Sequence, residues 1–394
     1  MKPLGITAFS VVSAVGDGRE ATLRALVEER SGLRPCTLDA SVPTYVGQVD
    51  AVEDSALPDR LAAFEGRNAR LALRALRADR FENEVARAVG RYGSHRVGLF
   101  LGTTTAGILE GETAFRERDP ASGALPPGFS HRHTVDHFST TDVVRSYLGL
   151  RGPAFTVSTA CSSSAKVFGD AAQLIRANVC DAAVVGGADS LSLLTLRGFA
   201  SLELLSHEPC RPNDAERAGI SIGEAAAFFL LERDDASRFD IRLLGYGDSC
   251  DAYHMSSPDP AGAGAALSMR MALRSARLEP GDIDYLNLHG TGTLANDAAE
   301  STAVHDVFGD AVPCSSSKGL TGHALGAAGA VEAAICCLAL EHGVQPGNAN
   351  LRRKDPSFRI NVVPHSERRP LRRVLSNSFG FGGNNCTLAF GRGA

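Results

Sequence analysis

The run Ala182-Ala183-Val184-Val185-Gly186-Gly187-Ala188-Asp189 stays apolar or small until its last residue. A strand with one wet face would alternate, so this one suits the middle of a sheet covered on both faces. Such a sheet requires helices above and below it. The remainder of the chain supplies them. Residues 4–12, Arg96–Thr105, Ala225–Leu231, Ile241–Gly247 and Ile283–His289 read as further strands. Helical patterns lie between them, over residues 20–30, over residues 58–80, and from Cys161 to about Ala177. In that last stretch Val167, Ala171, Leu174 and Ile175 recur at helical spacing. The alternation predicts an α/β architecture with largely parallel sheets.

The plan occurs twice. Phe155-Thr156-Val157 leads to Cys161-Ser162-Ser163-Ser164 and a small-residue helix. Cys314-Ser315-Ser316-Ser317 also follows a strand, and leads through Gly322-His323-Ala324-Leu325-Gly326-Ala327-Ala328-Gly329 into an apolar helix reaching about Leu340. This pattern reads as an internal duplication, with halves at 1–240 and 241–394. No linker composition separates them, so the halves are expected to be tightly fused.

Composition narrows the function. A formal charge of −5 argues against a nucleic-acid partner. Nine cysteines with no Cys-x-x-Cys pair argue against a disulfide framework and structural zinc. The first residues lack the apolar core of a signal peptide, and no apolar run is expected to reach the ~18 residues of a membrane span. The expected localisation is cytoplasmic.

Cys161 stands where an extended run meets a helix start, and there free N–H groups and the helix dipole favour a thiolate. It is a candidate nucleophile; a buried, inert cysteine is the alternative. His289, Lys318 and His323 stand at similar junctions, each among Gly, Thr or Ser residues that let a ligand approach the backbone. A thiolate with two imidazoles suits acyl transfer: the sulfur holds the acyl group and the ring N–H groups stabilise an oxyanion. Ser163-Ser164-Ala165-Lys166 also fits the Ser-x-x-Lys pattern of serine acyl-enzymes, but no Ser-Asp-Asn accompanies it. Arg67, Arg70, Arg74 and Arg77 share one helical face, either a solvated surface or a dock for an acidic partner.

Four passages together are more specific. Ser158-Thr159-Ala160-Cys161-Ser162-Ser163, Leu288-His289-Gly290-Thr291-Gly292-Thr293, Lys318-Gly319-Leu320-Thr321-Gly322-His323 and Asn377-Ser378-Phe379-Gly380-Phe381-Gly382-Gly383 resemble the signatures of elongating β-ketoacyl-ACP synthases of the thiolase superfamily. The resemblance implies a duplicated thiolase-like fold with five layers, αβαβα. It also implies a decarboxylative Claisen condensation. Cys161 would carry the acyl chain, His289 and His323 would stabilise the enolate of malonyl-ACP, and Lys318 would pair with Glu332 and tune the histidines. The backbone N–H groups of Cys161 and Phe381 would form an oxyanion hole, with Phe381 as the gate. Phe379, Thr291, Thr293 and Asp251 would be supporting residues near the gate and entrance, and Asp297 and Glu300 structural acids.

The resemblance implies no bound cofactor, since the acyl groups arrive on the phosphopantetheine arm of acyl carrier protein (ACP). That acidic partner would dock at Arg67, Arg70 and Arg74, or at Arg352-Arg353-Lys354. The chain would act as a homodimer, or as a heterodimer with a chain-length-factor-like ketosynthase. The passages Cys210-Arg211-Pro212-Asn213 and Gly219–Ala226 look most like synthases of bacterial aryl-polyene clusters, which would make the acyl chain aryl or polyenyl. Gly292 and Asn296 depart from the family pattern around the pocket, as does the shortness of the loop 233–240. A thiolase-like CoA acyltransferase would use a second cysteine, but Cys386 lies outside that setting. A non-catalytic chain-length factor would lack Cys161, and an initiating synthase would carry Asn in place of His323.

Overall fold

A computed structural model describes residues 1–233 and 239–393, so most of the short loop 233–240 lies outside the described residues. In the first half the main elements are β1 (Leu4–Ser13), α1 (Arg67–Arg77), α2 (Phe81–Tyr92), β2 (Val97–Gly102), α3 (Phe138–Leu148), β3 (Ala154–Val157), α4 (Ser163–Arg176), β4 (Ala182–Asp189), α5 (Leu193–Ser201) and β5 (Ala225–Arg233). In the second they are β6 (Ile241–Cys250), α6 (Ala263–Ala276), β7 (Tyr285–Asn287), α7 (Leu294–Phe308), β8 (Pro313–Ser315), α8 (Ala328–His342), β9 (Arg373–Gly380) and β10 (Asn384–Arg392).

These strands, with the short strands Gly16–Asp17 beside β1 and Asn361–Val362, form one 12-stranded sheet. Through the first half its order is β1-β5-β4-β2-β3, and through the second β6-β10-β9-β7-β8, with Asn361–Val362 added at the far edge. Both halves therefore place their first, fifth, fourth, second and third strands in that sequence. They join antiparallel through β1 and β6, with Leu4 opposite Leu243.

Side-chain alternation divides this sheet among three cores. On β4 and β5, Ala183, Val185, Ala227 and Phe229 face one core together with α4 and α8. Their neighbours Ala182, Val184, Ala226 and Phe228 face another, closed by α1, α2 and α3. On the second half, Leu286, Leu375 and Ala389 pack under α6 and α7. Helices α4 and α8 are thus sandwiched between the two sheet halves, giving the layers αβαβα. This explains why β4 is apolar on both faces.

Four expectations need correction. Each half is mixed, not largely parallel: β2, β3 and β4 run parallel, while β5 and β1 run antiparallel to their neighbours. In the second half β9 and β10 are joined only by the Phe381–Gly383 turn, and a connection that short permits only antiparallel pairing. The pattern over residues 58–80 is broken into a turn at Asp59–Phe64, helix α1, and a kink where Asp79 and Arg80 adopt positive φ.

The third correction concerns the two Cys-Ser-Ser-Ser passages, which are not equivalent in space. Cys314 lies inside β8 opposite Leu286, whereas Cys161 lies beyond β3 and two residues before α4. The place two residues before α8 is held by Gly326. What is duplicated is the strand-to-helix unit, and the second copy carries the extra segment with Lys318 and His323. Finally, Leu325–His342 does reach the length and apolarity of a membrane span, with mean hydropathy 1.4. It is 89% buried within the protein, as the central layer of the fold requires.

Candidate active site

The carboxyl ends of the parallel strands from both halves converge, and ligand sites collect at such ends. Beyond β3 the chain turns through Ala160, whose φ of +51° is left-handed, and enters α4. The serines build this turn. Ser162 Oγ donates to the Thr159 carbonyl (2.8 Å) and Ser163 Oγ to that of Ala160 (2.5 Å), while Ser164 Oγ accepts the Ala330 N–H of α8 (2.9 Å). Ser163 is buried and committed to the backbone, and Lys166 lies toward Asp248 at 3.9 Å, so these two do not form an acylating pair. Cys161 is left facing the junction of the halves.

His289 follows β7. The Glu300 carboxylate accepts the N–H groups of His289 (2.8 Å) and Gly290 (2.7 Å) and the side-chain amide of Asn377 (3.1 Å). Asp297 accepts the N–H of Gly292 (3.1 Å) and of Asn213 (2.8 Å). These acids are structural, as the sequence implies, but their specific task is to shape the histidine loop. Lys318 is buried; its ammonium donates to the His289 carbonyl and to Glu332, and lies 3.3 Å from His289 Nδ1.

His323 Nε2 lies 3.1 Å from Cys161 Sγ, and the Leu325 N–H approaches its Nδ1 at 3.3 Å. In both rings a donor faces Nδ1, so each neutral ring carries its proton on Nε2. Burial first, and then the charge of Lys318, hold both histidines well below the usual imidazole range. They are neutral hydrogen-bond donors at physiological pH. The Sγ of Cys161 and a ring nitrogen of each histidine lie within 4.8 Å of one another.

The resting thiol differs from expectation. Burial pushes Cys161 up to about 12, against the opposing pull of Lys318 and the Phe381 N–H. Desolvation outweighs the favourable helix start, so the resting group is a thiol. The Phe381 N–H is directed at Cys161, and an added Cβ on Gly380 would come within 3.1 Å of the Cys161 nitrogen. This places the Phe381 N–H beside the sulfur.

The gate turn uses Gly382 at φ +78° and Gly383 at φ +75°, conformations that a side chain would strain. Asp251 pins the turn: its N–H donates to the Gly383 carbonyl (2.9 Å), and its carboxylate accepts from Asn385 (2.6 Å). Gly382 in turn donates to the Met255 carbonyl (2.8 Å). The Phe379 ring lies 6.0 Å from that of His289, and Thr291 and Thr293 share a 3.0 Å hydrogen bond.

Two cavities meet at Cys161. One, of about 100 Å³, is lined by His289, His323, Thr291, Thr293, Asn296 and Phe379. The other, of about 500 Å³, is lined by Thr104, Thr105, Thr195, Gly198, Leu202 and Leu325. Phe199 and Phe381, with ring centroids 5.7 Å apart, border both.

The arginine face is not a free cationic surface. Arg67 binds the buried Glu224 and also Glu53, Arg70 binds Glu65, and Arg74 binds Asp17 (2.6 Å). Their side chains are 10%, 25% and 22% exposed. Arg352 and Arg353 are mostly exposed beside Glu208 and Glu216.

Sequence reasoning missed Asp189. This buried carboxylate accepts from Thr103 Oγ1 (2.5 Å) and from the N–H groups of Thr104 (2.9 Å), Thr105 (3.0 Å) and Gly326 (2.6 Å), tying the halves together beside Cys161. The signal was present, since it is the lone charge ending an apolar strand. Phe199 was also missed and left no such signal.

The chain matches the family profile of the beta-ketoacyl synthase N-terminal domain over residues 1–237 and of the C-terminal domain over residues 241–352. It belongs to the beta-ketoacyl synthase family. The synthase is 33% identical to a mitochondrial 3-oxoacyl-[acyl-carrier-protein] synthase of Arabidopsis thaliana, over 98% of this chain and 92% of that one. Its structure is similar to the ketosynthase ApeO, solved with its chain length factor ApeC from Xenorhabdus doucetiae (TM-score 0.90, 39% identity, covering 99% and 98% of the two chains). It is also similar to the ishigamide ketosynthase/chain length factor (TM-score 0.90, 31% identity, 99% of each chain). This synthase is an acyltransferase that produces β-ketoacyl-ACP, and the expected thiolase-like α/β fold holds.

Proposed function

We propose that Cys161 accepts an acyl chain from acyl-ACP and that His289 and His323 drive its condensation with malonyl-ACP. The observation that carries this reading is the convergence of one thiol and a ring nitrogen from each of two neutral histidines within 4.8 Å. In the first step Cys161 sulfur attacks the acyl thioester. The C–S bond to pantetheine breaks, and the thiol proton leaves on the departing pantetheine sulfur. The Cys161 and Phe381 N–H groups hold the tetrahedral oxyanion.

In the second step malonyl-ACP loses CO2, and the electron pair left behind forms an enolate. The two imidazole N–H groups stabilise its oxygen, so no strong base is needed to create the carbon nucleophile. The carbanion attacks the acyl carbonyl, a C–C bond forms as the C–S bond to Cys161 breaks, and the released thiolate takes a proton from solvent water. Lys318 acts through His289, fixing its Nδ1 as acceptor and its Nε2 as donor. The cavity with Thr291, Thr293 and Asn296 suits the amides of a phosphopantetheine arm. The more apolar one beyond Phe381 suits the acyl chain.

The likeness to ApeO and to the ishigamide ketosynthase supports a heterodimer with a chain-length-factor-like partner. With the sequence resemblance to aryl-polyene synthases, it also supports an extended polyenyl substrate. Intact-mass spectrometry of wild type and Cys161→Ala, incubated with acyl-ACPs and then malonyl-ACP, tests the reading. The expected result is an acyl adduct on wild type alone, discharged to β-ketoacyl-ACP. An adduct that persists in Cys161→Ala, or a wild type inert toward every acyl-ACP, refutes it.

A further inference from the structure

We infer that Gly198 is a specificity-determining residue, whose missing side chain keeps open the path of an extended acyl chain along α5. The inference rests on the function proposed above. The larger cavity has Cys161 and Ala160 at its base and Thr104, Thr105 and Leu325 on one side. Helix α5 forms the other side. It contributes Thr195, Gly198 and Phe199, positions three and four apart that share one helical face, and Leu202 follows at its C-cap.

Nothing in the protein requires glycine at this position. Its φ is not left-handed, and a Cβ built there meets no atom within 4 Å. The contrast is with Gly326, where a Cβ would lie 2.8 Å from Asp189 Oδ2, and with Gly380, where it would lie 2.8 Å from the Thr159 carbonyl. Glycine in a helix weakens it. Gly198 is exposed in the wall of the larger cavity, so a side chain there would stand in the open space that it lines and not in packed protein.

The way α5 is held keeps that face free. Among its residues only Leu196 is buried. Its amino end is clamped instead: Glu112 accepts the N–H groups of Leu193 (3.1 Å) and Leu194 (2.5 Å), and Ser192 Oγ accepts that of Thr195 (3.2 Å). From Thr195 to Leu202 the wall is about 10 Å long. Short acyl groups end before crossing Gly198, whereas long ones must lie against it. Bulk added there would act as a stop on chain length.

The test measures Cys161 acylation by acetyl-, butyryl-, octanoyl- and dodecanoyl-ACP in wild type, Gly198→Ala and Gly198→Leu, read by intact mass. The expected result is a dodecanoyl-to-acetyl rate ratio at least tenfold lower in Gly198→Leu, with Gly198→Ala intermediate and neither variant melting below wild type. An unchanged ratio in both variants overturns the inference while leaving the proposed function intact. So does a melting temperature that falls in Gly198→Ala, which would show that the position is packed. A wild type that no acyl-ACP acylates overturns the proposed function itself.

Discussion

Replacing Lys318 with Met should carry a pH-dependent loss of stability to higher pH than in the wild type, where it ends near 7. Lys318 and Glu332 are both buried and bonded to each other. Burial pushes the Glu332 carboxyl up to about 7, and the Lys318 ammonium is the main force holding it down. Without that charge the folded carboxyl rises further, far above its unfolded value of about 4.3. A carboxyl raised by folding binds its proton more tightly in the folded state. The variant is therefore least penalised at low pH and loses stability as pH climbs toward the new folded value.

The slope is about 1.4 kcal/mol per pH unit. At about 2.1 cal/mol/K of unfolding entropy per residue, 394 residues give about 0.8 kcal/mol per degree. Lys318→Met should then melt about 4–6 °C below wild type near neutral pH, from the ~3–5 kcal/mol lost on breaking a buried pair. The gap should widen by about 2 °C for each pH unit above 7. Thermal unfolding at pH 6, 7, 8 and 8.5 reads both quantities. The double variant Lys318→Met/Glu332→Gln, with no buried charge left, should lose the slope. Parallel melting curves for wild type and Lys318→Met across that range would refute the assignment of Glu332 as the titrating partner.

Two further outcomes follow from the geometry. Because burial and Lys318 hold His289 and His323 well below the usual imidazole range, both remain neutral above it. Malonyl-ACP decarboxylation should thus be flat between pH 6 and 8, and an inflection near 6.5 in a rate profile would show that one of them titrates there. Arg67→Ala should lower the melting temperature by about 4–6 °C, because it strands the buried Glu224 at a cost of about 3–5 kcal/mol. It should leave the affinity for ACP within twofold of wild type; a tenfold loss in an ACP titration at low salt would restore the docking role.

The sequence disclosed elements whose local pattern is unambiguous. The apolar β4 announced a sheet covered on both faces, and the small-residue loops around Cys161, His289 and His323 carry the side chains that meet. What it concealed depends on the third dimension. The arginine periodicity of α1 is real, yet it does not reveal that Glu224, far along the chain, takes up Arg67. The helix start before α4 favours a thiolate, yet the depth of Cys161 reverses that preference. The Cys-Ser-Ser-Ser likeness misled because the two passages do different work: one builds a turn and the other begins within a strand. Phe199 sits in an unremarkable stretch and acquires meaning only when Phe381 comes to rest against it.

The strand order has a consequence for how the molecule is made. In the second half, β10 pairs with β6 at the seam and also with β9, yet it is translated after every other strand of its sheet. Until it leaves the ribosome, β6 has β1 on one side and an open edge on the other. An open edge next to the apolar α8 is a template for mispairing with another nascent chain. The synthase's central layer therefore closes only when residues 384–392 emerge. Because Phe381 lies just before them, the same event that completes the sheet also completes the active site.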